Sequence, residues 1–124
     1  MQRDFTYIDD IVDGVISSAM IPPSIQENAG WDPNKPNPSF SSAPYRVLNI
    51  GNNNPVSLEY FIECIEKASG KKAIKNYLPM QLGDVEATFA DIDEISSLTN
   101  FSPKTNIATG IENFINWYKE YYKI

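Results

Sequence analysis

Residues 45–70 read Tyr-Arg-Val-Leu-Asn-Ile-Gly-Asn-Asn-Asn-Pro-Val-Ser-Leu-Glu-Tyr-Phe-Ile-Glu-Cys-Ile-Glu-Lys-Ala-Ser-Gly, and this stretch decides the fold class. Tyr45 to Ile50 carries apolar residues on both faces of an extended chain, the pattern of a strand inside a sheet covered by helices. Gly51 to Pro55 is turn chemistry. Ser57 then offers an N-cap, while Leu58, Phe61, Ile62, Ile65 and Ala68 recur at helical spacing. Gly70 stands where a left-handed residue closes a helix. Strand, turn and amphipathic helix in succession predict an α/β domain.

Toward the N-terminus, Phe5 to Ile8 is a short aromatic and β-branched run expected as a strand. Asp9 and Asp10 offer a cap for a helix with Ile11, Val12, Val15, Ile16, Ala19 and Met20 on one face. Pro22 and Pro23 stop that helix. Six of the nine prolines fall between Pro22 and Pro44, so residues 21–44 read as a long irregular loop. Such a loop inside a compact domain is more often functional or partner-covered than idle. Toward the C-terminus, a strand is expected around Ala73 to Tyr77 and a loop over Pro79 to Asp84. Asp91 and Glu94 resemble a capping box for a short helix carrying Ile92, Ile95 and Leu98. The last helix is expected after Thr105 or Asn106, with Ile107, Ile111, Phe114, Ile115, Tyr118 and Tyr122 on one face. Few strands packed with about four helices leave the interior-looking strand 45–50 short of neighbours, a first sign of a missing partner.

At 124 residues and 42% apolar, residues 1–124 are expected to form one domain with its own core. No histidine is present, which removes histidine bases, serine-histidine triads and the commonest zinc ligand. The single Cys64 excludes an internal disulfide and any CxxC site, and on its helix it reads as a small buried apolar residue rather than a nucleophile. A net charge of -6 has the wrong sign for gripping nucleic acid. No apolar run approaches the ~20 residues of a membrane span, and no signal-peptide pattern opens the chain. The expectation is a cytoplasmic, acidic domain with neither nucleic-acid nor membrane partner.

Catalytic motifs are absent from these residues. The closest two glycines, Gly70 and Gly83, are 13 apart, which excludes the glycine-rich turns of dinucleotide and P-loop sites. None of the seven tyrosines begins a tyrosine-x-x-x-lysine pair. Arginine is scarce, with Arg3 and Arg46 alone, and Arg3 opens the cluster Arg3-Asp4-Phe5-Thr6-Tyr7-Ile8-Asp9-Asp10. A guanidinium can hold phosphate bidentately, and an aromatic two residues along a strand lies on the same side, placed to pack against a ribose or base. Taken alone, Arg3 reads as an ordinary surface arginine, and Asp9 and Asp10 as caps rather than metal ligands.

Three segments carry a resemblance: Arg-Asp-Phe-Thr-Tyr-Ile-Asp-Asp-Ile-Val at 3–12, Ser-Ala-Pro-Tyr-Arg-Val-Leu-Asn-Ile-Gly-Asn at 42–52, and Leu-Pro-Met-Gln-Leu-Gly-Asp-Val at 78–85. In this order they resemble the C-terminal part of the nucleotide-sugar epimerases of the extended short-chain dehydrogenase/reductase family, with wording most similar to the UDP-glucuronate 4-epimerase branch. The resemblance spans nearly the whole chain apart from residues 24–40, yet corresponds to less than half of a complete enzyme. It implies a small α/β substrate-binding domain without the Rossmann half, which in the family holds NAD and the catalytic Ser/Thr, Tyr and Lys.

By position, the resemblance makes Arg3 the arginine on the substrate diphosphate and Phe5 the aromatic beside the nucleotide. Asp84 becomes the acid that accepts from the ribose hydroxyls. Gln81 stands where UDP-galactose epimerases carry a second phosphate-binding arginine. Arg46 is assigned no role. The implied role is to anchor the UDP end of a sugar undergoing NAD-dependent epimerisation at its fourth carbon, of the UDP-glucuronate to UDP-galacturonate kind. No NAD is expected on this chain, no activity without the missing half, and a homodimer as its assembly. The apolar face of the helix at 9–20 is expected to lie exposed or against another copy. UDP-glucose/UDP-galactose 4-epimerases, related dehydratases or decarboxylases, and a non-enzymatic interaction module remain as alternative readings.

Overall fold

A two-residue strand, β1 (Gln2–Arg3), pairs antiparallel with β2 (Val56–Ser57), Gln2 opposite Ser57 and Arg3 opposite Val56. The computed structural model describes residues 1–25 and 30–124. Around this strand pair stand four helices: α1 (Ile8–Ala19), α2 (Leu58–Ser69), α3 (Asp93–Thr99) and α4 (Ile107–Tyr122). Helix α2 packs along α4, and α1 against α3. The result is a small α/β unit, the expected class, although its strands are β1 and β2 rather than residues 45–50.

The helices with sequence-encoded ends form where their caps stand. The Ser57 hydroxyl accepts from the Tyr60 N–H at 3.1 Å, and Gly70 closes α2 with φ of 74°. Asn106 caps α4 through the Thr109 N–H at 3.0 Å. Both satisfy backbone groups that a helix end leaves without an internal partner. The capping box expected at Asp91 and Glu94 does not form. Asp91 instead accepts from the Asp93 N–H at 3.0 Å, and Ile92 occupies the N-cap position.

The strand expectations are corrected. Phe5 to Ile8 is not a strand, since β1 lies before it and α1 already begins at Ile8. Tyr45 to Ile50 forms no strand beyond a single bridge from Arg46 to Phe40, yet Leu48 and Ile50 pack inward while Tyr45 and Val47 face solvent. An extended chain keeps its two-residue alternation without a ladder, but a strand needs a neighbour to accept its hydrogen bonds. Ala73 to Tyr77 likewise finds no strand to pair with among the described residues, and Ile74 is fully exposed. Of the loop expected over 21–44, residues 26–29 lie outside the described residues; the remainder contains no helix and takes part in only the Phe40 bridge.

The core is compact: Ile92, Ile95 and Phe101, with Leu48, Ile50 and Ala90 packed against them. Helix α1 meets this core through Gly14, where an added Cβ would lie 2.9 Å from Ile50 Cγ2 and 3.3 Å from Phe101 Cε2. Its opposite face, Ile8, Val12, Val15, Ile16 and Met20, stays exposed. Asp10 is 4% exposed and is not the cap it was expected to be. Its carboxylate accepts from the Lys104 and Thr105 N–H groups, tying α1 to the segment before α4.

Candidate functional site

Strand β1 has a second partner besides β2. The Gln2 N–H donates to the Glu86 carbonyl at 2.8 Å and the Thr88 N–H to the Gln2 carbonyl at 3.3 Å, so residues 86–88 run alongside β1 in a short parallel pairing. This joins two motifs far apart in sequence, the one that carries Arg3 and the one that carries Gln81 and Asp84.

Arg3 is half-buried on β1; its Nη1 donates to the Gln2 carbonyl at 2.8 Å, and it forms no ion pair among the described residues. The other donors of its fork are therefore available to an anion. Gln81 and Asp84 bracket an exposed turn in which the Asp84 N–H donates to the Gln81 carbonyl at 3.2 Å. Gly83 holds φ of 96°, a left-handed conformation that a side chain would strain. Asp84 lies two residues before the Glu86 carbonyl that receives Gln2, so the turn hangs from the edge of the strand presenting Arg3.

Phe5 points elsewhere. Its ring stacks on Phe61 of α2 with centroids 4.1 Å apart and planes inclined by 14°. Together they line a cavity of about 490 Å³ that also includes Ile65, Ile111 and Phe114, an apolar space between the β1–α1 connection and the α2–α4 pair. One face of Phe5 is thus already covered by protein. The Gln81–Asp84 turn reaches β1 through the pairing of residues 86–88 with Gln2, the neighbour of Arg3, while Phe5 follows β1 and turns its ring to α2.

Two features were not singled out from the residues. Asp4, between Arg3 and Phe5, accepts from the N–H groups of Asn53 at 3.0 Å, Ala90 at 3.1 Å and Asn54 at 3.4 Å. It also lines a cavity of about 470 Å³ with Thr6, Asn49, Gly51 and Thr88. A carboxylate flanked by residues of obvious chemistry gave no signal of its own, because its donors are backbone groups. The second is the fastening of residues 72–77 to α2. Lys72 pairs with Glu66 at 2.6 Å, Lys75 pairs with Glu59, and the Tyr77 hydroxyl donates to Glu59 at 3.1 Å. The hydrogen bonds from Lys75 and Tyr77 hold the Glu59 carboxyl below its ordinary range, and those from Lys72 and the Ala73 N–H do the same for Glu66. Lys75 is raised by its bond to Glu59.

No family model matches the chain. Protein CapI of Staphylococcus aureus is 46% identical over 123 residues, covering 99% of this chain and 36% of that protein. A probable UDP-glucuronate 4-epimerase of Rhizobium meliloti (strain 1021) is 44% identical over 124 residues, with 99% of this chain and 36% of the relative covered. Among solved structures, the UDP-glucuronic acid 4-epimerase of Bacillus cereus in complex with UDP-glucuronic acid and NAD superposes with a TM-score of 0.71 at 30% identity. That match covers 98% of this chain and 33% of the other. The chain therefore spans about a third of the length of these relatives. In sequence and in fold it matches the C-terminal part of the extended short-chain dehydrogenase/reductase epimerases, with the UDP-glucuronate 4-epimerases among its homologues.

Proposed function

We propose that this chain is the part of a UDP-glucuronate 4-epimerase that anchors the UDP end of the sugar nucleotide. The reading rests on one observation: the Gln2 bonds to Glu86 and Thr88 hang the Gln81–Asp84 turn from the strand that presents Arg3. In it, Arg3 takes the diphosphate through its fork, Gln81 adds a neutral donor, Asp84 accepts from the ribose hydroxyls, and Phe5 offers its uncovered face beside the nucleotide. A diphosphate carries about two negative charges, and a chain of net charge -6 can receive it only where cationic donors are concentrated. Arg3 is that donor. Holding the UDP end fixes a pivot for the sugar, so the contribution of this chain to epimerisation is positional.

In this reading the chain itself holds no NAD. Its glycines are too widely spaced to form the tight turn that lets backbone approach a pyrophosphate. In this reading the cofactor and the catalytic groups belong to the portion of the enzyme outside these residues, the chain by itself is inactive, and residues 1–124 act as one substrate-binding unit of a cytoplasmic homodimer. Among the described residues no helix is long and apolar enough to cross a membrane.

The test is a proton-nitrogen NMR titration with UDP. The amides of residues 3–7 and 81–85 and the Arg3 side chain should shift together, and Arg3→Ala should abolish the response. A well-dispersed spectrum that does not move at millimolar UDP would overturn the reading.

A further inference from the structure

We propose that Asp4 is the positioning residue of this site, setting the separation between Arg3 and the Gln81–Asp84 turn. The inference rests on the UDP-anchoring reading and adds to it a residue that touches no part of the ligand.

The observation is the convergence of three backbone donors on one carboxylate. Asp4 Oδ2 accepts from Asn53 at 3.0 Å and from Ala90 at 3.1 Å, and Oδ1 accepts from Asn54 at 3.4 Å. The donors belong to two segments that are remote from Asp4 in sequence and from each other: the turn after residue 50, and the chain that continues from the 86–88 pairing. Hydrogen bonds to an ionised acceptor are the stronger kind, and three on one carboxylate define the position of the residue that bears it.

The two segments meet at the carboxylate with little spare room. A Cβ at Gly51 would fall 2.3 Å from the Cβ of Ala90 and 2.9 Å from Asp4 Oδ2, so glycine at one position and a small residue at the other admit the acid between them. Asn53 takes φ of 51°, turning its N–H toward the same point. Strand β1 is thus held at two successive places against the chain that bears Asp84: at Gln2 by its pairing with Glu86 and Thr88, and at Asp4 by Ala90. Arg3 lies between these two places. A change at Asp4 loosens the second and lets β1 and the 81–90 chain slide or splay, moving Arg3 and Asp84 relative to each other.

Asp10 supplies the control. It too is a carboxylate on two remote backbone donors, but those are Lys104 and Thr105, away from the 81–90 chain. A loss of stability alone should follow either substitution; a loss of ligand geometry should follow only Asp4.

The experiment titrates UDP into the chain and into its Asp4→Asn and Asp10→Asn variants, with urea stability measured for each. Asp4→Asn should weaken UDP about ten- to a hundredfold, the range for losing one hydrogen bond to a charged group. The amides of 81–85 should cease to shift in step with that of residue 3, while Asp10→Asn should keep both affinity and concerted shifts despite its lower stability. If Asp4→Asn does not fold, Asp4→Glu, which keeps the charge but moves it by one methylene, is read by the same criteria. Unchanged UDP affinity in the Asp4 variant, or equal weakening in both variants in proportion to lost stability, would overturn the role of Asp4 and leave the anchoring reading standing. Absence of any UDP response in the unmodified chain would overturn both.

Discussion

The carboxylate of Asp10 in α1 accepts the backbone N–H of Thr105 at 3.0 Å, with the Lys104 N–H on its other oxygen at 3.1 Å. A buried acid, 4% exposed, thereby fastens the first helix to the start of the last. Asp10→Ala should lower the unfolding free energy by about 2 kcal/mol, because two part-buried hydrogen bonds to a buried carboxylate are lost and water replaces them only in part. Urea unfolding reads the change; a loss below about 0.5 kcal/mol, the range of inert surface substitutions, would show that the clamp adds little.

The ends of α2 separate two kinds of cost. Ser57→Ala removes the acceptor of the Tyr60 N–H and should cost about 1 kcal/mol. Gly70→Ala meets no atom within 4 Å but must hold φ of 74°, so its cost, also about 1 kcal/mol, is purely that of a left-handed side-chain-bearing residue. The two ends share no partner and the losses should add in the double variant.

The fastening of residues 72–77 to α2 should depend on pH in a defined direction. Glu59 and Glu66 are held below their ordinary value of 4.5, so their contribution is full above that value and is lost as pH falls through the lower folded values. Lys75 is raised above 10.5, so its contribution is full below 10.5 and is lost as pH rises through the higher folded value. The segment should therefore be fastened across neutral pH and release first on acidification below 4.5. Ring signals of Tyr77, followed from neutral to acid, should lose their dispersion in that range, and in Glu59→Gln they should be altered already at neutral pH.

Opposite faces of α1 should respond oppositely to substitution. Gly14→Ala drives a Cβ to 2.9 Å from Ile50 Cγ2 and should destabilise by about 1–3 kcal/mol through overpacking. Val12→Asp lies on the exposed stripe with Ile8, Val15, Ile16 and Met20 and should change stability by no more than about 0.5 kcal/mol. It should also reduce binding of an apolar dye and any self-association seen in sedimentation, since contiguous exposed apolar surface is adhesive.

The candidate site residues came from the resemblance rather than from local chemistry, since Arg3 taken alone reads as a surface arginine. The segments around Arg3 and around Gln81 and Asp84 were marked by that resemblance, and the pairing of Gln2 with residues 86–88 joins their chains. Asp4 did not stand out, because a carboxylate that serves backbone donors leaves no spacing rule in the sequence. Phe5 was read from its motif as an aromatic beside the nucleotide, and nothing local to it announces the stack on Phe61, a residue on a different helix.

By itself the sequence determined the helices whose ends it encodes: α2 between Ser57 and Gly70, and α4 from Asn106 onward. Their hydrogen bonds close within the segment and their caps act over three or four residues, so neighbouring side chains suffice to specify them. Tertiary structure alone decided which extended segments became strands and which acids became clamps. Val47 to Ile50 keeps strand alternation without a ladder, whereas Gln2 and Arg3, with no strand pattern of their own, form a strand because partners lie there, on both sides of Gln2. Asp10, placed like a cap, became a tie to Thr105 by the same logic. Ladders and clamps take their partners from remote parts of the chain, and only folding brings those partners within hydrogen-bonding distance.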